Sequence, residues 1–84
     1  MSERDRIRWH CRRGLLELDL VLARFVDEHL EKLDPTGIAA FKDLLNYPDN
    51  DLLDLVMGRA ELVDEGVCAP VLALLRQTKA QPAL

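Results

Sequence analysis

The sequence predicts an all-α protein, a small irregular five-helix bundle forming a single domain over residues 1–84, with about 79–84 as a flexible tail. Three observations predict it. Apolar residues recur at steps of three and four along most of the chain, the spacing of a helix face. Helix-starting and helix-ending residues punctuate it at short intervals, as at Asp34-Pro35, Tyr47-Pro48 and Gly58. With 84 residues, 49% of them apolar, there is material for one modest core; a chain this short buries only about 60% of its unfolded surface, so a deep internal active site is not expected. Unequal helix lengths make the bundle irregular rather than up-and-down.

The first helix is expected from Ser2 to Arg13. Charged residues dominate it, yet Ile7 and Cys11 stand one turn apart and Leu15 continues their line. Trp9, the one tryptophan, lies off that line between Arg8 and His10. It reads either as a lid over the edge of the core or as a partly exposed aromatic anchor for a protein partner.

A corner follows at Arg12-Arg13-Gly14. Glycine lacks a Cβ and takes positive φ at little cost, so Gly14 can reverse the chain after the first helix. Glu17 falls in the opening turn of the next helix, among free amides at the positive end of the macrodipole, and Arg13 is close enough in sequence to pair with it. Such a corner is either a helix junction stapled by a charge pair or a docking point for another protein.

The second helix is the longest periodic segment, Leu15 to Leu33, and is expected to be the spine of the fold. Leu15, Leu18, Leu22, Phe25 or Val26, His29 or Leu30 and Leu33 form its stripe, widened by Leu16, Leu20 and Val21. A stripe that broad predicts neighbours on two sides, with Asp27, Glu28, Glu31 and Lys32 facing water. Asp34 then caps a third helix with Pro35 at its first position, where the missing amide costs nothing; Ile38, Phe41 and Leu45 are its buried residues. Asn46-Tyr47-Pro48 breaks it, and Asp49-Asn50-Asp51 offers caps for a fourth helix carried by Leu52, Leu55 and Val56 and stopped by Gly58. Without a 12-residue ligand pattern these aspartates read as caps, not as a calcium loop. Residues 59–66 read as a polar connection. Val67 or Pro70 begins the last helix, with Val71, Leu72, Leu74 and Leu75 covering the open side of the core, and from Thr78 the chain is expected to fray.

The net charge of −4 hides a division: five arginines against two acids leave +3 in residues 1–14, and the rest of the chain carries −7. That polarity suits an oriented encounter with a protein. A nucleic-acid-binding or antitoxin-like regulatory module using the basic first helix is the alternative reading, but no recognition helix with base-reading residues follows those arginines. Cys11 and Cys68 lack paired spacing and read as reduced small hydrophobes. His10 and Cys11 diverge by about 100° on a helix and His29 has no partner at i+4, so no metal site is expected. One serine, Ser2, and no phosphate loop or dinucleotide fingerprint argue against an enzyme, and no catalytic residue is assigned. No apolar stretch approaches the roughly 20 residues that cross a bilayer, and the charged N-terminus is neither signal peptide nor anchor; the expectation is a chain complete as made, in a bacterial-type cytoplasm.

The run Arg6-Ile7-Arg8-Trp9-His10-Cys11-Arg12-Arg13-Gly14-Leu15-Leu16-Glu17-Leu18-Asp19 resembles the signature of the succinate dehydrogenase FAD assembly factors, the SdhE family. So do Phe41-Lys42-Asp43-Leu44-Leu45, Tyr47-Pro48-Asp49-Asn50-Asp51-Leu52-Leu53 and Met57-Gly58, giving a likeness over about residues 4–78. The chain departs from the family at Leu55, often tryptophan there, and in the stretch from Glu61 to Val67. The resemblance implies a five-helix protein that binds the flavoprotein subunit of succinate dehydrogenase, and in some bacteria that of fumarate reductase, and promotes covalent attachment of FAD to a histidine of that subunit. With only four aromatics and no flavin-binding fold, the chain is expected to have no cofactor of its own and to meet FAD through the client at most. The family's Arg-Gly-x-x-Glu motif falls on Arg13, Gly14 and Glu17, which would face the client, with Arg8, Trp9, Arg12 and Asp19 completing the expected partner-binding surface.

Overall fold

The computed structural model describes residues 2–62, 66 and 68–80. Five helices and one 3-10 turn follow in order: α1 Glu3–His10, α2 Leu16–His29, the turn Leu30–Lys32, α3 Pro35–Leu45, α4 Asp49–Met57 and α5 Cys68–Ala80. The all-α five-helix expectation holds, and each boundary has a local cause. Ser2 caps α1 reciprocally with Asp5: the Ser2 hydroxyl accepts from the Asp5 amide at 3.1 Å and the Asp5 carboxylate from the Ser2 amide at 3.3 Å. At α3, Asp34 accepts from the Gly37 amide at 2.8 Å and Pro35 holds the first helical position. Gly58 ends α4 in the left-handed region, φ +79°.

Four boundaries differ from the sequence reading. Helix α1 stops at His10, three residues early, because the Arg13 amide is taken by Asp19 instead of continuing the helical ladder. The long second helix ends at His29 and tightens into the 3-10 turn before Leu33. At α4 the cap position belongs to Pro48, with no side-chain cap bond; Asp49 is already helical and its carboxylate serves Arg13. The fraying expected from Thr78 does not occur there: α5 runs to Ala80, and Thr78 is buried with its hydroxyl donating to the Leu74 carbonyl at 2.9 Å. Val67 as a helix start, the middle of the 59–66 connection and tail residues 81–84 lie outside the described residues.

One core joins all five helices. Leu18, Leu22, Phe25, Leu30, Phe41, Leu44, Leu52 and Leu75 are fully buried, and the rings of Phe25 and Phe41 meet at 4.8 Å in a tilted pair. Of the alternatives in the second helix, Phe25 and Val26 are both buried, while Leu30 is core and His29 stacks on Phe25 at 5.1 Å. Leu55 is itself a core residue. Helix α5 packs against α2, α3 and α4, so it shares the role of spine that the sequence reading gave to α2 alone. Arg76 on α5 sews down the exit of α4, donating to the carbonyls of Leu55 at 2.8 Å and Ala60 at 3.0 Å. Lys42 on α3 ties α1 by a 2.9 Å bond to Glu3, which holds that carboxyl below its ordinary pKa.

Helix α1 runs back along α2, with Arg4 on Glu31 at 3.5 Å and Arg8 on Asp27 at 3.6 Å. Leu16, Leu20, Ala23 and Asp27 share one face of α2 by their spacing, and all four are exposed. Leu16 is 77% and Leu20 62% exposed, so the broad stripe is covered on one flank only. The other flank is the wall of a groove.

Candidate functional site

The corner between α1 and α2 is held by two carboxylates. Gly14 adopts φ +85°, and a Cβ built on it would meet no atom within 4 Å; its backbone is presented to the outside. Asp19, one turn into α2, reaches back so that its two oxygens accept from the amides of Arg13 at 2.8 Å and Gly14 at 3.1 Å. Leu15, at the cap position of α2, has no side chain that could accept such bonds. The negative charges of Glu17 and Asp19 also suit the first turn of that helix.

Arg13 turns away from Glu17, and the expected charge pair between them is not formed. Its Nε donates to Asp49 at 2.8 Å, Nη1 to the carbonyls of Leu45 at 2.7 Å and His10 at 3.2 Å, and Nη2 to the Tyr47 carbonyl at 2.5 Å. The side chain is only 12% exposed. The physical reason is acceptor supply: the break after α3 leaves carbonyls without helical partners at the negative end of its dipole, and a planar guanidinium with five donors satisfies several at once. Glu17 stands exposed in the first turn of α2.

Beside the corner, α1 and α2 enclose a groove of about 890 Å³ whose walls include Trp9, Arg12, Gly14, Asp19, Leu20 and Ala23. Trp9 is 59% exposed, which decides between its two readings in favour of the partly exposed aromatic. The Arg12 guanidinium lies 5.2 Å over its ring, a cation–π contact that keeps the indole oriented. Of the residues the sequence singled out, Arg8, Trp9, Arg12, Gly14 and Asp19 meet at this groove. Arg13 is directed inward, and Glu17 is not in the groove lining. Leu20 in the groove wall, the exposed Leu16 and the Arg13 partner Asp49 were not singled out from the sequence. Leucines inside an apolar stripe read as core, and an aspartate after proline reads as a cap. An exposed tryptophan beside exposed leucines is the composition of a protein-binding surface.

Cys11 forms part of the groove floor and is buried. Burial pushes its thiol up to about 12 from an ordinary 9.0, against the opposing pull of Arg13 and Arg8. The thiolate is therefore absent near neutral pH, and Cys11 is no nucleophile. A brief iodoacetamide pulse at pH 8, read by mass spectrometry, is expected to leave Cys11 unmodified until denaturant is added. Because the folded state holds this proton more tightly, the stabilisation is complete below pH 9 and declines as pH rises towards 12; alkaline unfolding of a Cys11→Ala variant should accordingly be less steep across that window.

Among the described residues no cluster of three or more His, Cys, Asp or Glu could hold a metal ion, and no helix is long and apolar enough to cross a membrane. Three of the five arginines near the N-terminus are paired with acids, Arg4 and Arg8 with those of α2 and the adjoining turn and Arg13 with Asp49. A phosphate backbone would have to displace those partners, which weighs against the nucleic-acid alternative.

Residues 5–79 match the family model described as "Flavinator of succinate dehydrogenase". The chain belongs to that family. Its similarity to curated relatives is spread over most of its length. It is 41% identical over 76 residues to the FAD assembly factor SdhE of Ralstonia nicotianae, covering 87% of this chain and 80% of the relative. To the FAD assembly factor SdhE of Idiomarina loihiensis it is 34% identical over 79 residues, 94% of this chain and 88% of that one. Over a shorter span of 57 residues it is 50% identical to the SdhE of Vibrio vulnificus, covering 68% and 66%. No solved structure matches. The family match spans the corner, the groove and the Arg13–Asp49 contact alike.

Proposed function

We propose that the chain is an assembly factor that binds the flavoprotein subunit of succinate dehydrogenase and promotes covalent attachment of FAD to it. The observation that carries this reading is the family match over residues 5–79, and the exposed corner and groove supply a surface suited to it. Gly14 offers bare backbone for close approach, Glu17 a free carboxylate, and Trp9 with Leu20 an apolar anchor rimmed by Arg8 and Arg12.

The chain assists without chemistry of its own. The isoalloxazine and a histidine of the client supply the reaction, while docking favours a client conformation in which the two meet. The chain has four aromatic residues, of which Phe25 and Phe41 are in the core, so FAD is met through the client. The flavoprotein subunit of fumarate reductase is the second proposed client, and the cytoplasm the compartment where client and factor meet.

The test is in-gel flavin fluorescence of the denatured flavoprotein subunit, produced in a host lacking its own factor, with and without this chain. Covalent flavin is expected to rise only when the chain is present. Equal fluorescence in both lanes refutes the reading for that client, and the same pair of lanes with the fumarate reductase subunit decides the second.

A further inference from the structure

We infer that Asp49 is a positioning residue for the client-binding corner, acting through Arg13; the inference rests on the client reading above. Asp49 lies 36 residues from Arg13 and outside the Arg-Gly-x-x-Glu motif. The path between them is short in space. Asp49 fixes Nε of Arg13 at 2.8 Å, and the other two nitrogens of the same fork are held by the carbonyls at the α3–α4 junction, Leu45 and Tyr47, and by His10 at the end of α1. The backbone of Arg13 continues into Gly14, and both amides are pinned by Asp19. The chain between α1 and α2 is thus clamped from both sides, from α2 by Asp19 and from the α3–α4 corner by Asp49.

The contact differs from an ordinary surface ion pair, which contributes little. Arg13 is 12% exposed, its bonds are charge-assisted, and the planar fork fixes direction as well as distance. Asp49 itself is 43% exposed and contributes nothing to the buried apolar cluster. Loss of Asp49 should therefore release the corner while leaving the bundle folded. A corner that must be ordered on docking binds more weakly by the fraction of time it is correctly formed.

The experiment uses the full chain and the FAD-loaded flavoprotein subunit of succinate dehydrogenase, titrated by calorimetry. Variants are Asp49→Ala, Asp49→Glu as the conservative replacement, and Asp51→Ala, which removes the same charge from the same first turn of α4. Asp49→Ala is expected to raise Kd about tenfold at unchanged stoichiometry, Asp49→Glu to recover most of the loss, and Asp51→Ala to bind like wild type. Hydrogen exchange should quicken at the amides of Arg13 and Gly14 in Asp49→Ala, with α5 unchanged. Wild-type affinity in Asp49→Ala, an equal loss in Asp51→Ala, or a fall in stoichiometry with faster exchange throughout would each overturn the proposal. If the wild-type chain itself does not bind, the client reading fails and the proposal with it, an outcome distinct from the other three.

Discussion

Phe41→Ala is expected to lower the urea midpoint of unfolding, followed by far-ultraviolet circular dichroism, further than any surface substitution. Phe41 is fully buried and packs on Phe25 at 4.8 Å between ring centres. Truncating such a ring removes about 3–5 kcal/mol through lost transfer energy and the cavity left behind. A chain of 84 residues has roughly 4–13 kcal/mol in total, at about 0.05–0.15 kcal/mol per residue. The substitution therefore removes a large share of the stability, and no surface change in this protein should approach it. Leu20→Ala is the contrast: Leu20 is 62% exposed, so its urea midpoint should stay near that of wild type. A Phe41→Ala protein with an unchanged midpoint would contradict the packing described.

Gly14→Arg is expected to abolish the rise in covalent flavin while the protein remains folded, and Gly14→Asn to retain much of it. At φ +85° any side chain strains the backbone, by roughly 1–2 kcal/mol for most residues and less for asparagine. That cost lies within the stability of the domain. Since no atom beyond Gly14 and its two chain neighbours lies within 4 Å of the Cβ position, a larger residue meets no internal obstacle and projects into whatever docks there. The comparison separates strain from obstruction: thermal unfolding reports the first and in-gel flavin fluorescence the second. A folded Gly14→Arg protein that supports wild-type flavin attachment would show that the corner is not the docking point.

What could be read from the sequence was what is local in it. The Asp34-Pro35 start, the Gly58 stop and the Ile7–Cys11 line depend on neighbours within a few residues, and the structure realises all three. The turn at Gly14 was legible for the same reason, since only glycine takes that conformation readily. The destination of the Arg13 side chain was not. Glu17 is four residues away and Asp49 thirty-six, so a reading by proximity along the chain favours the wrong acid; the carbonyls that draw the guanidinium exist only once α3 has ended beside it. The exposure of Leu16 and Leu20 was hidden by a similar limit. Periodicity shows that a face of α2 is apolar, whereas which flank is covered depends on how α1 lies across it.

The arrangement of α5 bears on the order in which the chain is made. Helices α1 to α4 leave the ribosome before the segment from Cys68 onward that packs against three of the four. Until then the faces of α2, α3 and α4 that α5 covers are open to water and to passing chains. The core can close only after those late residues have emerged, so a nascent chain stalled before Cys68 should be held by trigger-type chaperones or cleared by proteases rather than accumulate as a partial fold.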